Sequence, residues 1–155
     1  MSFNLEELLS PTRIECGVEA ASKKRIFEIV AGKIADSTSG IGENDIYAQL
    51  LAREKLGSTG LGVGVAIPHC RVAGCQRPVG SLLTLQSPVD YDAIDRQSVD
   101  LIFALVVPEE ATQTHLDILA ELARRFSNEA YCTRLRAART SIELLAAGLE
   151  APEAS

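Results

Sequence analysis

The segment that most restricts the fold of this chain is the apolar run from Val99 to Val107, which reads VDLIFALVV. Its hydrophobic residues are nearly continuous and Pro108 follows them, whereas a strand with one solvated face would alternate apolar and polar residues. A short continuous run of this kind is typical of a central strand that is buried on both faces. The chain is therefore expected to cover both faces of a β-sheet with helices.

Helical and extended patterns lie on both sides of this run. Helices are predicted where apolar residues recur at helical spacing or follow an N-cap residue: Leu5–Leu9, Glu19–Ala35, Glu43–Leu56, Thr112 or Thr114 to Phe126, and two more after Asn128 and Thr140. Further strands are predicted over shorter apolar segments: Arg13–Cys16 (ended by Gly17), Val63–Ile67 and Val79–Leu85. These elements predict an α/β fold, a three-layer sandwich in which a mixed, mainly central β-sheet is flanked by helices on both faces.

Length and composition limit the function classes. The 155 residues suit one domain, expected over residues 1–150 with a frayed tail at 151–155. With 21 acidic and 15 basic side chains the formal net charge is -6, which argues against nucleic-acid binding. The acidic start has no signal-peptide pattern, and no run reaches the roughly 18 apolar residues that a membrane span needs. The four scattered cysteines favour a reducing cytoplasm.

A glycine-rich segment leads to one of the two histidines of the chain. Residues 57–64 read GSTGLGVG, and a short apolar strand then ends at Pro68 and His69. Strand ends are rigid places from which a reactive side chain can reach solvent. The loop amides, Ser58, Thr59 and Gly60 could bind an anion such as a phosphoryl group. The alternative is that the glycines serve only tight turns and that His69 is an ordinary loop residue.

Arg53 and His115 are the other candidate site residues. Arg53 lies beside the apolar face of its helix in the last turn before Gly57, so it can point to the loop that leads to His69. The alternative is an arginine placed there by the helix dipole. His115 opens the helix after the hydrophobic strand, where helix N-termini face the crevice of an α/β sheet. It could equally be a plain polar residue at a helix start.

Other kinds of site fit the sequence poorly. A nucleotide-binding P-loop would need Gly-Lys-Ser/Thr, and a dinucleotide fingerprint would need its glycines between a strand and a helix, the reverse of the order here. His69, Cys70 and Cys75 lack the paired spacing and the fourth ligand of a zinc site. No nucleophile-elbow sequence indicates a hydrolase.

The segments around His69 and His115 together resemble a known family. Arg53-Glu54, Gly57-Ser58-Thr59-Gly60 and Val65-Ala66-Ile67-Pro68-His69 are similar to the signature of the type-2 enzyme IIA components of the bacterial phosphoenolpyruvate phosphotransferase system. The resemblance continues through Val99–Leu105, Pro108 and His115-Leu116, and covers Leu5 to about Leu145. The short chain is most similar to the nitrogen-regulatory branch of that family.

This resemblance implies an α/β sandwich and a phosphotransferase component that works through a phosphohistidine. The residue matching His69 would accept the phosphoryl group from an HPr-like phosphocarrier, with Arg53 and His115 in the same active site and no metal or nucleotide cofactor. Cys70 stands where some branches have glycine, which would make the chemistry of His69 sensitive to thiol modification. The imidazole must be neutral to attack phosphorus, so activity should fall below its pKa.

Three functions remain open on the sequence. The first is a cytoplasmic regulator whose phosphorylation state controls target proteins such as sensor kinases or ion transporters, without membrane insertion. The second is a fructose- or mannitol-type IIA component that donates the phosphoryl group to the IIB domain of a permease. The third is a binding module that is never phosphorylated. Target binding is expected at the surface around His69, with apolar contacts from Leu61, Val63 and Ile67.

Overall fold

The computed structural model describes residues 5–110 and 112–152. Its strands are β1 (Ile14–Val18), β2 (Gly60–Gly62), β3 (Val65–Ala66), β4 (His69–Val72), β5 (Val79–Val89) and β6 (Val99–Pro108). Its α-helices are α1 (Leu5–Leu8), α2 (Lys23–Ser37), α3 (Glu43–Lys55), α4 (Thr112–Phe126), α5 (Glu129–Ala137) and α6 (Ser141–Leu149). A single 3-10 turn at Pro11–Arg13 leads into β1.

Within these residues the strands form one six-stranded mixed sheet with β6 near its centre. The order along the sheet is β1-β5-β6-β3-β2, and β4 pairs with β6 beyond β3. β5 is antiparallel to β6, whereas β3 and β4 run parallel to it. The mixed sheet predicted from the sequence is confirmed.

The side chains of β6 alternate between two hydrophobic cores, as the continuous apolar run predicted. Ile102, Ala104 and Val106 enter a core that includes the buried residues of α2 and α3. Phe103 and Leu105 enter a second core on the opposite face, shared with residues of α1, α4, α5 and α6. Helices thus cover both faces, and the predicted three-layer sandwich is confirmed.

The glycine-rich segment forms a hairpin instead of a loop before one strand. β2 and β3 pair antiparallel across a tight turn in which Gly62, Val63 and Gly64 all have positive φ. The predicted strand Val63–Ile67 is therefore wrong in its limits, because the turn occupies its first residues. His69 begins a further strand, β4, instead of standing where a strand passes into a loop.

Two other boundaries differ from the prediction for local reasons. Gly17, with φ of 66°, forms an irregular pairing inside β1 and does not end the strand, and its N–H donates to Thr84 Oγ1 at 3.0 Å. Helix α2 starts at Lys23 because the Ser22 hydroxyl accepts from the N–H of Arg25 and caps it.

The predicted caps Asn128 and Thr140 accept hydrogen bonds at the starts of α5 and α6. Part of the predicted frayed tail, residues 153–155, lies outside the described residues. No helix in residues 5–110 and 112–152 is long and apolar enough to cross a membrane. The single domain over residues 1–150 stays a prediction.

Candidate functional site

The two histidines of the chain meet beside β6. His69 is the first residue of β4 and pairs with Leu105, close to the end of β6. The chain leaves β6 at Pro108 and soon enters α4, whose first turn carries His115. The imidazole rings lie edge to face with centroids 5.3 Å apart. Topology therefore brings together two residues that are distant in sequence.

The imidazole of His69 is held in one tautomer by the backbone. Its Nδ1 lies 2.7 Å from the carbonyl oxygen of Ile67, an acceptor, so Nδ1 carries the proton and Nε2 keeps a free lone pair. Burial lowers the pKa of His69, the bond to Ile67 opposes this, and the charge of Arg53 lowers it further. The ring is therefore neutral near pH 7 with Nε2 available as a nucleophile.

His115 has the opposite tautomer. Arg71 Nε donates to its Nδ1 at 3.4 Å, so the proton of the neutral ring is on Nε2. The residue is 8% exposed, and its buried Nε2 has no hydrogen-bond partner among the described residues. Burial lowers the pKa of His115 to about 4, and the nearby His69, Arg71 and Arg53 lower it in the same direction. His115 is thus a neutral donor whose N–H is unused.

Both histidines line an open pocket of about 370 Å³ to which Arg53 and Arg71 contribute. Arg53 is half-buried at the end of α3, and its Nη1 donates to the carbonyl of Gly57 at 2.9 Å. It therefore does point to the loop, as its place in the last helical turn predicted. The pocket combines a nucleophilic nitrogen with two guanidinium groups and an unpaired N–H donor, a set of groups suited to a phosphoryl group.

Arg71 was not predicted as a site residue. It follows His69 by two positions on β4, so both side chains lie on one face of the strand. Cys70 lies between these two residues and Val72 follows Arg71. Both Cys70 and Val72 are buried in the core beside α2 and α3. The two-residue period would have indicated Arg71, had His69–Val72 been recognised as a strand.

Ser58, Thr59 and Gly60 are not among the residues that line this pocket. The backbone N–H and the hydroxyl of Thr59 both donate to the carboxylate of Glu54. The N–H of Gly60 donates to Ser58 Oγ at 3.1 Å. Because these donors have partners within the loop and α3, the described contacts do not support the phosphoryl-binding role predicted for the three residues, which stays a prediction.

The structure bears on two further expectations about this surface. Cys70 is 5% exposed, and burial raises the pKa of its thiol to about 12, which does not favour reaction with thiol reagents, so the expected sensitivity to thiol modification stays a prediction. Ile67 is 4% exposed and cannot offer an apolar contact to a partner, whereas Leu61 and Val63 are 42% and 60% exposed.

No group of three or more His, Cys, Asp or Glu side chains that could hold a metal ion occurs within residues 5–110 and 112–152. His69, Cys70 and Cys75 therefore do not assemble a zinc site there. The alternation of side chains along β4 gives the physical reason, since Cys70 and His69 lie on opposite faces of the strand.

Comparison with known proteins assigns the chain to a family. Residues 7–148 match the family described as "Phosphoenolpyruvate-dependent sugar phosphotransferase system, EIIA 2". The chain belongs to this family. It is also 46% identical over 139 residues to the nitrogen regulatory protein of Pseudomonas aeruginosa, an alignment that covers 90% of each chain.

Solved structures agree with this assignment. The crystal structure of the nitrogen regulatory protein IIA-Ntr from Neisseria meningitidis is 41% identical, with a TM-score of 0.87 over 92% of this chain and 97% of that chain. IIA mannitol from Escherichia coli, at 19% identity and a TM-score of 0.75 over 90% of this chain and 97% of that one, shares the fold. The resemblance predicted from the sequence, to the nitrogen-regulatory type of IIA protein, is confirmed.

Proposed function

We propose that this IIA protein accepts a phosphoryl group on Nε2 of His69 from an HPr-like phosphocarrier and regulates other proteins according to its phosphorylation state. The observation that supports this most is the hydrogen bond from His69 Nδ1 to the carbonyl of Ile67. It leaves the lone pair of Nε2 free, in a pocket that also contains two arginines and His115.

The transfer needs no proton movement at the attacking nitrogen. The lone pair of Nε2 forms a bond to phosphorus while the phosphorus–nitrogen bond of the carrier's phosphohistidine breaks, and the electron pair of that bond returns to the carrier's ring. The proton on Nδ1 stays in its bond to Ile67, which stabilises the positive charge that the ring gains. No metal or nucleotide takes part in this step.

Three side chains are placed to stabilise the transferred group. Arg53 and Arg71 supply positive charge next to the histidines, and the unused Nε2–H of His115 can donate to a phosphoryl oxygen. Fixed donors of this kind favour the transition state because they need no reorganisation during transfer. We therefore assign the catalytic group as His69, Arg53 and His115, with Arg71 added from the structure.

The mouth of the pocket suits a protein partner better than a small molecule. Leu56, which lines the pocket, is 84% exposed, and Leu116, next to His115, is 54% exposed. Apolar side chains beside a polar reaction centre are common where two proteins dock. A cytoplasmic location fits the four free cysteines, and the regulated targets would include proteins such as sensor kinases or ion transporters.

The test of this function is phosphorylation by a reconstituted carrier chain. The protein is incubated with phosphoenolpyruvate, enzyme I and an HPr-type carrier, and its intact mass is measured under alkaline conditions. We expect one added acid-labile phosphoryl group in the wild type and none in His69→Ala, because the attacking nitrogen is absent.

The control is Ile142→Ser, which changes a side chain that is 77% exposed on α6, and it should be labelled like the wild type. A His69→Ala protein that still gains the group would refute the assignment of His69. No labelling of the wild type by several carriers would favour a binding module, and rapid transfer to a IIB domain would favour sugar transport.

A further inference from the structure

We propose that Glu54 is a positioning residue for His69, acting through the Gly57–Gly60 loop on the carbonyl group that holds the imidazole tautomer. The proposal rests on the proposed function of His69 and adds the element that keeps its attacking nitrogen free. It also gives the Ser-Thr pair of the loop a role other than binding phosphate.

The carboxylate of Glu54 is buried and tied to the loop. Its side chain is 7% exposed, although the residue lies in the last turn of α3 beside the half-buried Arg53. The backbone N–H of Thr59 donates to Oε2 at 3.0 Å, and the Thr59 hydroxyl donates to Oε1. A buried carboxylate that is bonded in this way fixes the loop more firmly than a neutral acceptor would.

From Thr59 a continuous series of hydrogen bonds leads to His69. The carbonyl of Thr59 accepts from the N–H of Ile67 at 3.0 Å. The carbonyl of the same residue, Ile67, accepts from Nδ1 of His69 at 2.7 Å. The N–H and C=O groups of Thr59 and of Ile67 belong to neighbouring peptide groups, so the series acts by position. Glu54 fixes Thr59, Thr59 fixes Ile67, and Ile67 presents its carbonyl to the imidazole proton.

Two residues from other parts of the chain hold Glu54 in place. Lys23, at the start of α2, forms an ion pair with Oε2 at 2.9 Å, and its ammonium lies 4.6 Å from the centre of the Tyr91 ring. Tyr91 is fully buried, and its hydroxyl lies 2.8 Å from Thr59 Oγ1. Since the Thr59 hydroxyl gives its hydrogen to Glu54, Tyr91 is the donor in this contact.

Loss of this network would free the alternative tautomer. Without Glu54 the Thr59 side of this series loses its anchor. Pro68 and His69 stay bonded to Leu105 of β6, so the acceptor of Nδ1 is then held from one side only. A neutral imidazole with its proton on Nε2 cannot attack phosphorus at that atom. The hydrogen bonds accepted by a residue outside the pocket would therefore set the fraction of His69 that is ready to react.

The experiment measures the His69 tautomer directly in Glu54→Ala, Glu54→Gln and the wild type. The nitrogen chemical shifts of the ring, from NMR on the unphosphorylated protein, report the proton position, and the phosphoryl-transfer rate is measured at saturating carrier. We expect Glu54→Ala to show a larger share of protonated Nε2 and a transfer rate up to about 100-fold lower, because the reacting group is less well positioned. Glu54→Gln, whose amide oxygen still accepts from Thr59, should restore most of both.

A pair of lysine variants supplies the matched control. Lys23→Met removes the ion partner of Glu54, whereas Lys33→Met removes a similar pair, with Glu15 at 2.6 Å, elsewhere on α2. The two lysine side chains are 22% and 20% exposed, so the substitutions are closely matched. We expect Lys23→Met to shift the tautomer and slow the transfer, and Lys33→Met to do neither.

A folded Glu54→Ala protein with the wild-type tautomer and rate would overturn the proposal while leaving phosphorylation of His69 intact. If Glu54→Ala does not fold, as judged by circular dichroism, the test rests on Lys23→Met and Lys33→Met. The same tautomer and the same transfer rate in these two variants would overturn the proposal. Because the tautomer is read without any carrier, an unlabelled wild type counts against the proposed function alone.

Discussion

At the scale of single residues, the site shows how surroundings give two identical side chains different roles. The Ile67 carbonyl keeps the proton of His69 on Nδ1, whereas Arg71 keeps that of His115 on Nε2. Burial keeps both rings neutral by lowering the pKa of each. One ring is therefore left as a nucleophile and the other as a hydrogen-bond donor.

The lowered pKa of His115 also makes the stability of the fold depend on pH. Its folded pKa is about 4 and the usual value is 6.5, so between these values the unfolded chain binds a proton that the folded chain excludes. The free energy of unfolding should therefore fall as the pH drops from 6.5 to 4, by up to about 1.4 kcal/mol per pH unit from this residue.

Urea unfolding at several pH values, followed by circular dichroism, measures this slope. His115→Asn should flatten the dependence, and His69→Asn should act in the same direction, since the pKa of His69 is lowered too. An unchanged slope in His115→Asn would show that His115 is not held neutral by the fold.

The sequence predicted this site in part. It identified His69, Arg53 and His115, which the structure brings to one pocket, because their places at element ends are visible in local patterns. It missed Arg71, since a strand of four residues with polar side chains has too weak an alternation to be recognised. The sequence also could not show that the Thr59 hydroxyl contacts Glu54 and Tyr91, because these are tertiary contacts that no local pattern encodes.

At the scale of elements, the β2–β3 hairpin departs most from its prediction. A run of glycines and valines has no clear period, and the turn at its centre places a valine in the left-handed region, with φ of 54° at Val63. Asp95 and Arg136 hold that residue through its backbone, at 3.0 and 2.8 Å. Distant side chains thus impose a turn that the local sequence disfavours.

Replacing Val63 by glycine should therefore stabilise the protein. The left-handed conformation costs an ordinary residue about 1–2 kcal/mol, and glycine avoids this but loses more chain entropy on folding. We expect a net gain of roughly 0.5–1 kcal/mol in the free energy of unfolding for Val63→Gly, measured in urea. Val63→Ala, which keeps a Cβ, should recover little, and a less stable glycine variant would contradict the argument.

At the scale of the whole molecule, one strand is shared by both cores. Residues of β6 are buried against helices on either side of the sheet, which its continuous apolar sequence predicted without any tertiary information. The sequence could not give the strand order, because pairing between β5, β6 and the short β3 and β4 is decided by contacts that are remote along the chain.

Shortening a buried side chain of β6 should lower the stability of the whole fold. Leu101 is fully buried in the core beside α4, and Leu101→Ala is expected to lower the free energy of unfolding by about 2–5 kcal/mol. Since the chain has no tryptophan, far-ultraviolet circular dichroism in urea is the suitable measurement. Ile142→Ala, at a side chain 77% exposed, should change stability by less than about 0.5 kcal/mol, and similar losses in both would exclude a core effect.

The buried cysteine next to His69 gives the protein an intrinsic probe of motion. Cys70 is 5% exposed and packs in the core beside α2 and α3, although it also belongs to the lining of the pocket that contains His69. Because so little of the residue is exposed, an alkylating reagent should reach its sulfur mainly when β4 or the adjoining pocket opens. The labelling rate of Cys70 therefore reports how often the fold opens beside His69, on the timescale of native-state exchange.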